Sequence, residues 1–123
     1  MKYIDKQKLL TYLKLKKEMA LFLGVGEYFE SKTFDWIKLE YYPNRIKCTK
    51  IRTFDEGAAI SNDIKSFSTL NDLEGEEEHV VGTLEHCLDW ITTNENADAG
   101  KFIVTEDLNE IYSVLVENGT LGN

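Results

Sequence analysis

The chain has 123 residues, of which 42% are hydrophobic and fourteen are aromatic, and its formal net charge is −8. This length suits one domain, predicted over residues 1–123, that can bury a core without disulfides or a structural metal. The aromatic content excludes an intrinsically disordered chain. The longest uncharged apolar run, Met19 to Leu23, is too short to span a membrane, and no secretory signal is recognisable. We therefore predict a cytoplasmic protein without a membrane partner.

Charge is divided unevenly along the sequence. Residues 1–52 hold twelve of the fourteen basic side chains and six acids, a balance of +6, whereas residues 53–123 hold sixteen acids against Lys65 and Lys101, a balance of −14. The N-terminal lysines are scattered around their predicted helix, and the negative field of the whole chain repels nucleic acid. We therefore expect no nucleic-acid partner.

The N-terminal segment carries apolar residues at helical spacing. Leu9, Leu13 and Ala20 fall on one face, which predicts a first helix from about Asp5 to Leu23. The glycines of residues 24–26 are predicted to end this helix.

A β-hairpin follows. Apolar and polar residues alternate from Phe34 to Tyr42, a tight turn is expected at Pro43 and Asn44, and residues 45–54 return as the partner strand. The alternation slips between Cys48 and Ile51, which suggests a β-bulge there.

The second half mixes helical and strand signals. Residues 64–70 suit either a third strand or a short helix. Residues 72–92 are predicted to form a second helix, and residues 101–104 a short buried strand. A last helix is predicted over residues 105–119, with Thr105 as its cap. The order α-β-β-(β)-α-β-α predicts an α+β fold in two layers, with about three helices on a mostly antiparallel sheet of three to four strands. The predicted core contains Leu9, Leu13, Ile37, Leu39, Ile51, Leu84, Cys87, Leu88, Ile103 and Leu115.

Candidate metal and nucleophile residues are few. His79 and His86 would lie on one predicted helix but about 10 Å apart, too far for one ion, since helical metal pairs use i, i+3 or i+4 spacing. Cys87 would point into the apolar stripe, and Cys48 could meet a histidine only through the fold. We predict no metal, no cofactor and no catalytic residue, and two reduced thiols packed in the core.

The densest acidic segment surrounds the start of the second predicted helix. It suits a solvated first turn, where the helix dipole favours carboxylates, or a surface that attracts a basic protein. The predicted surface also includes the loop around Glu95 and Asp98. Its proposed contact residues are Glu76, Glu77, Glu78, Glu85 and Asp89.

Aromatic residues occupy both faces of the first hairpin strand. In a two-layer fold one face stays open, so Trp36 and Tyr42, or else Tyr41, could serve as interface anchors. Loops or a second copy of the chain could equally cover them as ordinary core, so a homo-oligomer is compatible with the pattern.

Charge and size together favour a non-catalytic interaction or inhibitor protein with a basic protein partner. Immunity proteins that neutralise nucleases, and DNA mimics, share this size and charge, which is an analogy and not a sequence match. The alternative is a regulatory domain that binds a small molecule between sheet and helices. A small enzyme has less support, because no nucleophile–base pair is recognisable.

Overall fold

Four antiparallel strands form the centre of the fold in the computed structural model, which describes residues 2–57, 63–75 and 78–122. The strands lie in the sheet in their sequence order: β1 (Glu18–Tyr28), β2 (Ser31–Tyr42), β3 (Arg45–Phe54) and β4 (Glu78–Gly82). The helices are α1 (Leu9–Lys16), α2 (Leu70–Glu74), α3 (Leu84–Glu95) and α4 (Leu108–Glu117). The predicted single α+β domain with an antiparallel sheet is confirmed.

The β2–β3 hairpin is also confirmed. Its register is continuous from Thr33 opposite Phe54 to Tyr42 opposite Arg45. The bulge expected between Cys48 and Ile51 is therefore wrong, because their side chains belong to the two opposite hydrophobic clusters of a regular strand. The register shift lies instead in β1, between Phe22 and Gly24.

The first predicted helix extends too far. Helix α1 ends at Lys16, Lys17 adopts a left-handed φ of 70°, and residues 18–28 form β1. Met19 and Leu21 enter one hydrophobic cluster and Ala20 the other. A strand that is buried on both faces shows a continuous apolar run, which periodicity cannot distinguish from a buried helix.

The second predicted helix is also wrong over part of its length. The segment splits into the end of α2, the strand β4 and the helix α3, because Gly75 ends α2 in a left-handed conformation and Thr83 caps α3. Residues 101–104 are not a strand, since only Ile103 forms a bridge, to Ala20. Residues 64–70 hold a 3-10 turn (Ile64–Ser66), a bridge at Thr69 and the first residue of α2.

Helices lie on both faces of the sheet. We call the side covered by α1 and α3 the front face; its core includes Leu13, Ile37 and Cys87. The back face carries Phe34 and Trp36 beneath α4. Seven predicted core residues are buried, and three are half-buried: Ile51, Leu84 and Leu115. In the part of the chain that the structure describes, no helix is long and apolar enough to cross a membrane.

Candidate interaction surface

Three of the five proposed contact carboxylates lie in the described part of the chain, and these three are exposed. Glu78 begins β4, and Glu85 and Asp89 lie on α3, which packs against β3 and β4. Glu76 and Glu77 lie outside the described residues. We use the name acidic surface for Glu78, Glu85 and Asp89.

Helix α3 positions two of these carboxylates on its solvent side. The Thr83 hydroxyl accepts a hydrogen bond of 3.1 Å from the His86 backbone N–H and so caps the first turn. The apolar side of the helix, which includes Leu88, packs into the front core. Glu85 and Asp89 are one turn apart, a rise of about 6 Å along the helix axis. Both side chains therefore project into solvent from a helix whose orientation the core determines.

The N-terminal lysines do not neutralise the acidic surface. Among the described residues, no ion pair joins a lysine of residues 2–17 to Glu78, Glu85 or Asp89. Lys17 instead lies 5.2 Å from the centre of the Tyr41 ring. Glu85 and Asp89 on α3 therefore have no ion pair within the described residues.

Glu95 does not belong to this surface. Its side chain is 8% exposed and forms an ion pair of 2.8 Å with Lys50 of β3. Asp98 is exposed, and its carboxylate accepts a hydrogen bond from the Gly100 backbone N–H. The predicted loop contribution is therefore restricted to Asp98, which also has a local structural role.

The predicted aromatic anchors have different environments. Trp36 is buried beneath the back-face helix, and its indole N–H donates a hydrogen bond of 3.0 Å to the Thr53 hydroxyl. It is a core residue and cannot contact a partner. Tyr42 is half-buried, with the Arg45 guanidinium 4.9 Å from its ring centre and a weak hydrogen bond of 3.4 Å to Glu40.

The histidines and cysteines do not converge on one site. His79 lies in β4 and His86 in the first turn of α3, so the prediction that one helix carries both is wrong. Within the described ranges, no group of three or more His, Cys, Asp or Glu side chains could hold a metal ion. Cys48 and Cys87 are free and buried, and burial raises the pKa of both thiols, which disfavours a nucleophilic thiolate.

Two clefts bear on small-molecule binding. One, of about 240 Å³, is lined by residues that include Lys38, Thr49 and Asp72. The Thr49 hydroxyl is buried and has no hydrogen-bond partner among the described residues. The other, of about 430 Å³, lies between β1 and α4 and is mainly apolar, with Phe22 and Val114 in its lining.

Sequence reasoning missed one exposed aromatic. Phe29 lies in the turn between β1 and β2, and the residue is 86% exposed. The sequence does indicate a surface position for Phe29, because this residue lies between the charged residues Glu27 and Glu30. The helix predicted over residues 18–23 takes the place of β1, so the sequence predicts no β1–β2 turn at Phe29.

Comparison of the chain with protein-family models, curated proteins and solved structures finds no match.

Proposed function

We propose that this chain is a non-catalytic interaction protein that binds a basic protein partner through the acidic surface. The observation that supports this proposal is the pair Glu85 and Asp89, which are exposed on one helix without an ion pair to any described residue. The net charge of −8 adds a long-range attraction to a basic partner.

The physical basis is charge complementarity. Opposite charges on two surfaces speed their encounter and select the partner, and salt screens this effect over about 8 Å at physiological ionic strength. Carboxylates already paired within the chain would contribute little, as Glu95 illustrates. Unpaired carboxylates on a well-packed helix contribute without prior rearrangement.

A matched pair of charge variants tests the proposal. The front-face variant, Glu85→Gln with Asp89→Asn, removes two charges from the acidic surface. The back-face variant, Glu106→Gln with Glu117→Gln, is the control. It removes two exposed charges, one in the turn before α4 and one at the end of α4. Wild-type and variant proteins are immobilised, and the proteins that they recover from native lysate at low and high salt are identified by mass spectrometry.

We expect a basic protein that binds wild type and the back-face variant, binds the front-face variant at least tenfold more weakly, and is released by salt. Equal binding by both variants would contradict the acidic surface. Recovery of only acidic or neutral proteins would contradict the charge argument as a whole.

A second candidate function is small-molecule binding at the cleft beside Thr49. Its support is the buried Thr49 hydroxyl without a described partner, since such groups usually find one. A thermal-shift screen of polar metabolites, repeated with Thr49→Val, tests it. A ligand that stabilises wild type and not the variant would favour this alternative.

A further inference from the structure

The β1–β2 turn presents an aromatic ring to solvent. Phe29 and Glu30 form a two-residue connection between Tyr28 and Ser31, which are paired across the hairpin. Phe29 is the most exposed of the large hydrophobic residues that the structure describes, at 86%. Solvent exposure of a whole phenylalanine ring does not stabilise the fold.

The backbone at Phe29 is also unfavourable for this residue type. Its φ is 55°, and Glu30 does not share a positive φ. A positive φ at the first position of a two-residue hairpin loop favours glycine, asparagine or aspartate over an aromatic residue. The other described non-glycine residues with positive φ, Lys17 and Asn96, are helix C-caps, where this conformation is ordinary. Folding alone therefore favours another residue at position 29.

The Phe29 ring contacts one neighbouring ring, that of Tyr28. The Tyr28 ring lies edge-on to it, with ring centres 4.6 Å apart, and also contacts Phe54 at 6.1 Å. The neighbouring Glu74 carboxylate raises the pKa of Tyr28. An aromatic that is positioned before binding loses less entropy when it enters a pocket.

The surroundings of Phe29 are acidic. Glu27, Glu30 and Glu74 are exposed. The nearby cations make internal contacts: Lys32 donates to the Thr120 carbonyl at 2.9 Å, and Arg52 pairs with Asp35 and donates to the Glu27 carbonyl. The hairpin turn thus combines an apolar centre with a negatively charged rim, which is the arrangement of an interface anchor.

We infer that Phe29 anchors the chain to its protein partner by entering an apolar pocket bordered by basic residues. This inference depends on the proposed function in taking the partner to be basic. The acidic rim disfavours insertion into an anionic membrane, and a net charge of −8 on each copy disfavours pairing with a second copy. A basic protein is the occupant that matches both the ring and its rim.

The first experiment measures stability and binding of Phe29→Gly. We expect the melting temperature to rise by about 2–6 °C, because glycine suits the backbone, while partner binding weakens at least tenfold. The control is Leu15→Ala, which removes another exposed apolar side chain (73% exposed) on α1, at the opposite end of β1, and should leave binding unchanged. A fall in melting temperature, or unchanged binding by Phe29→Gly, would overturn the inference.

The second experiment identifies the occupant. The photoreactive residue p-benzoylphenylalanine replaces Phe29, or Leu15 as the control, and intact native cells are irradiated. We expect one basic protein to be cross-linked from position 29 and not from position 15. In permeabilised cells, excess wild-type protein should prevent this cross-link, whereas excess Phe29→Gly protein should not. Cross-links only to a second copy of the chain, or only to lipid, would contradict the inference. Equal cross-linking from both positions, or no cross-link at all, would also contradict it.

The two proposals fail separately. If Glu85→Gln with Asp89→Asn leaves the cross-link from position 29 intact, the acidic surface is wrong and the anchor stands. If salt-dependent binding through the acidic surface survives Phe29→Gly, the anchor is wrong and the proposed function stands.

Discussion

Tyr112 donates a hydrogen bond of 2.6 Å to Asp55, joining α4 to the residue that follows β3. The second carboxylate oxygen of Asp55 accepts from the Gly122 backbone N–H at 2.7 Å. One carboxylate thus holds both the last helix and the C-terminal segment against the back face of the sheet. Phe34 and Phe67 pack edge-on against the Tyr112 ring within the same contact region.

Tyr112→Phe tests the energy of this contact. The substitution keeps the buried ring and removes only the donor to a carboxylate, so we expect a loss of about 1–3 kcal/mol in the free energy of unfolding. Urea unfolding measures it. The matched control is Tyr12→Phe, whose half-buried ring makes no described hydrogen bond through its hydroxyl and should change stability by about 0.5 kcal/mol or less. Equal losses in both variants would contradict a special role for the Asp55 bond.

The same residue predicts a component of alkaline unfolding. Burial, the hydrogen bond to Asp55 and the charge of Asp55 raise the pKa of Tyr112 in the folded chain. The unfolded chain ionises this tyrosine near pH 10, so its stabilising contribution is complete below that pH and is lost as the pH rises towards the folded pKa. We expect the stability difference between wild type and Tyr112→Phe to decrease above about pH 10. A difference that stays constant to pH 11.5 would show that Tyr112 titrates normally.

The sequence predicted the elements whose two sides have contrasting polarity or whose ends carry clear signals. The β2–β3 hairpin has a turn at Pro43 and Asn44, and α4 has acids in its leading turn, so the sequence predicts both. The expected Thr105 cap is wrong, because no described side chain caps α4 or the 3-10 turn before it. The strands β1 and β4 were assigned to helices. β1 is apolar on both sides because helices cover both faces, and β4 has only five residues with partial burial. In both strands tertiary contacts outweigh local periodicity.

The candidate site was predictable only in part. Exposure of Glu85 and Asp89 follows from their positions relative to Cys87 and Leu88 on α3, so the helical pattern was sufficient. The burial of Trp36 was not predictable, because it depends on α4 packing over the back face. The backbone conformation at Phe29 likewise requires the β1–β2 register, which the sequence reading did not contain.

Two leucines of α1 provide a matched test of its packing. Leu13 is fully buried in the front core, whereas Leu15, two positions later, is 73% exposed. We expect Leu13→Ala to cost about 2–5 kcal/mol, through lost burial and the cavity that remains, and Leu15→Ala to cost about 0.5 kcal/mol or less. Chemical unfolding of both variants measures the difference. Similar costs would mean that α1 packs through a different face.

The two thiols should be protected in the folded chain. Cys48 and Cys87 are fully buried, burial raises the pKa of both, and the Cys87 thiol donates to the Ile46 carbonyl at 3.6 Å. At pH 8 we expect an aromatic disulfide reagent to label native protein at least a hundredfold more slowly than free cysteine, and to find two thiols per chain in guanidinium chloride. Rapid native labelling of either residue would contradict the predicted core environment.

Gly26 of β1 lies against the most polar part of the front face. A Cβ atom at this position would be 2.6 Å from Asp35 Oδ2 and 2.9 Å from both Arg52 Nη2 and Thr33 Oγ1. These side chains are constrained, since Arg52 bonds to Asp35, to Thr33 and to the Glu27 carbonyl, so they cannot move without breaking contacts.

We therefore expect Gly26→Ala to lower the free energy of unfolding by about 1–3 kcal/mol through steric overlap. The control is Gly100→Ala, where the nearest atom is the Asp98 carboxylate oxygen at 3.2 Å, on an exposed side chain that can rotate away. Its change should be about 0.5 kcal/mol or less. Urea unfolding of both variants measures the contrast. A neutral Gly26→Ala would show that the Arg52, Asp35 and Thr33 side chains can move aside without loss of stability.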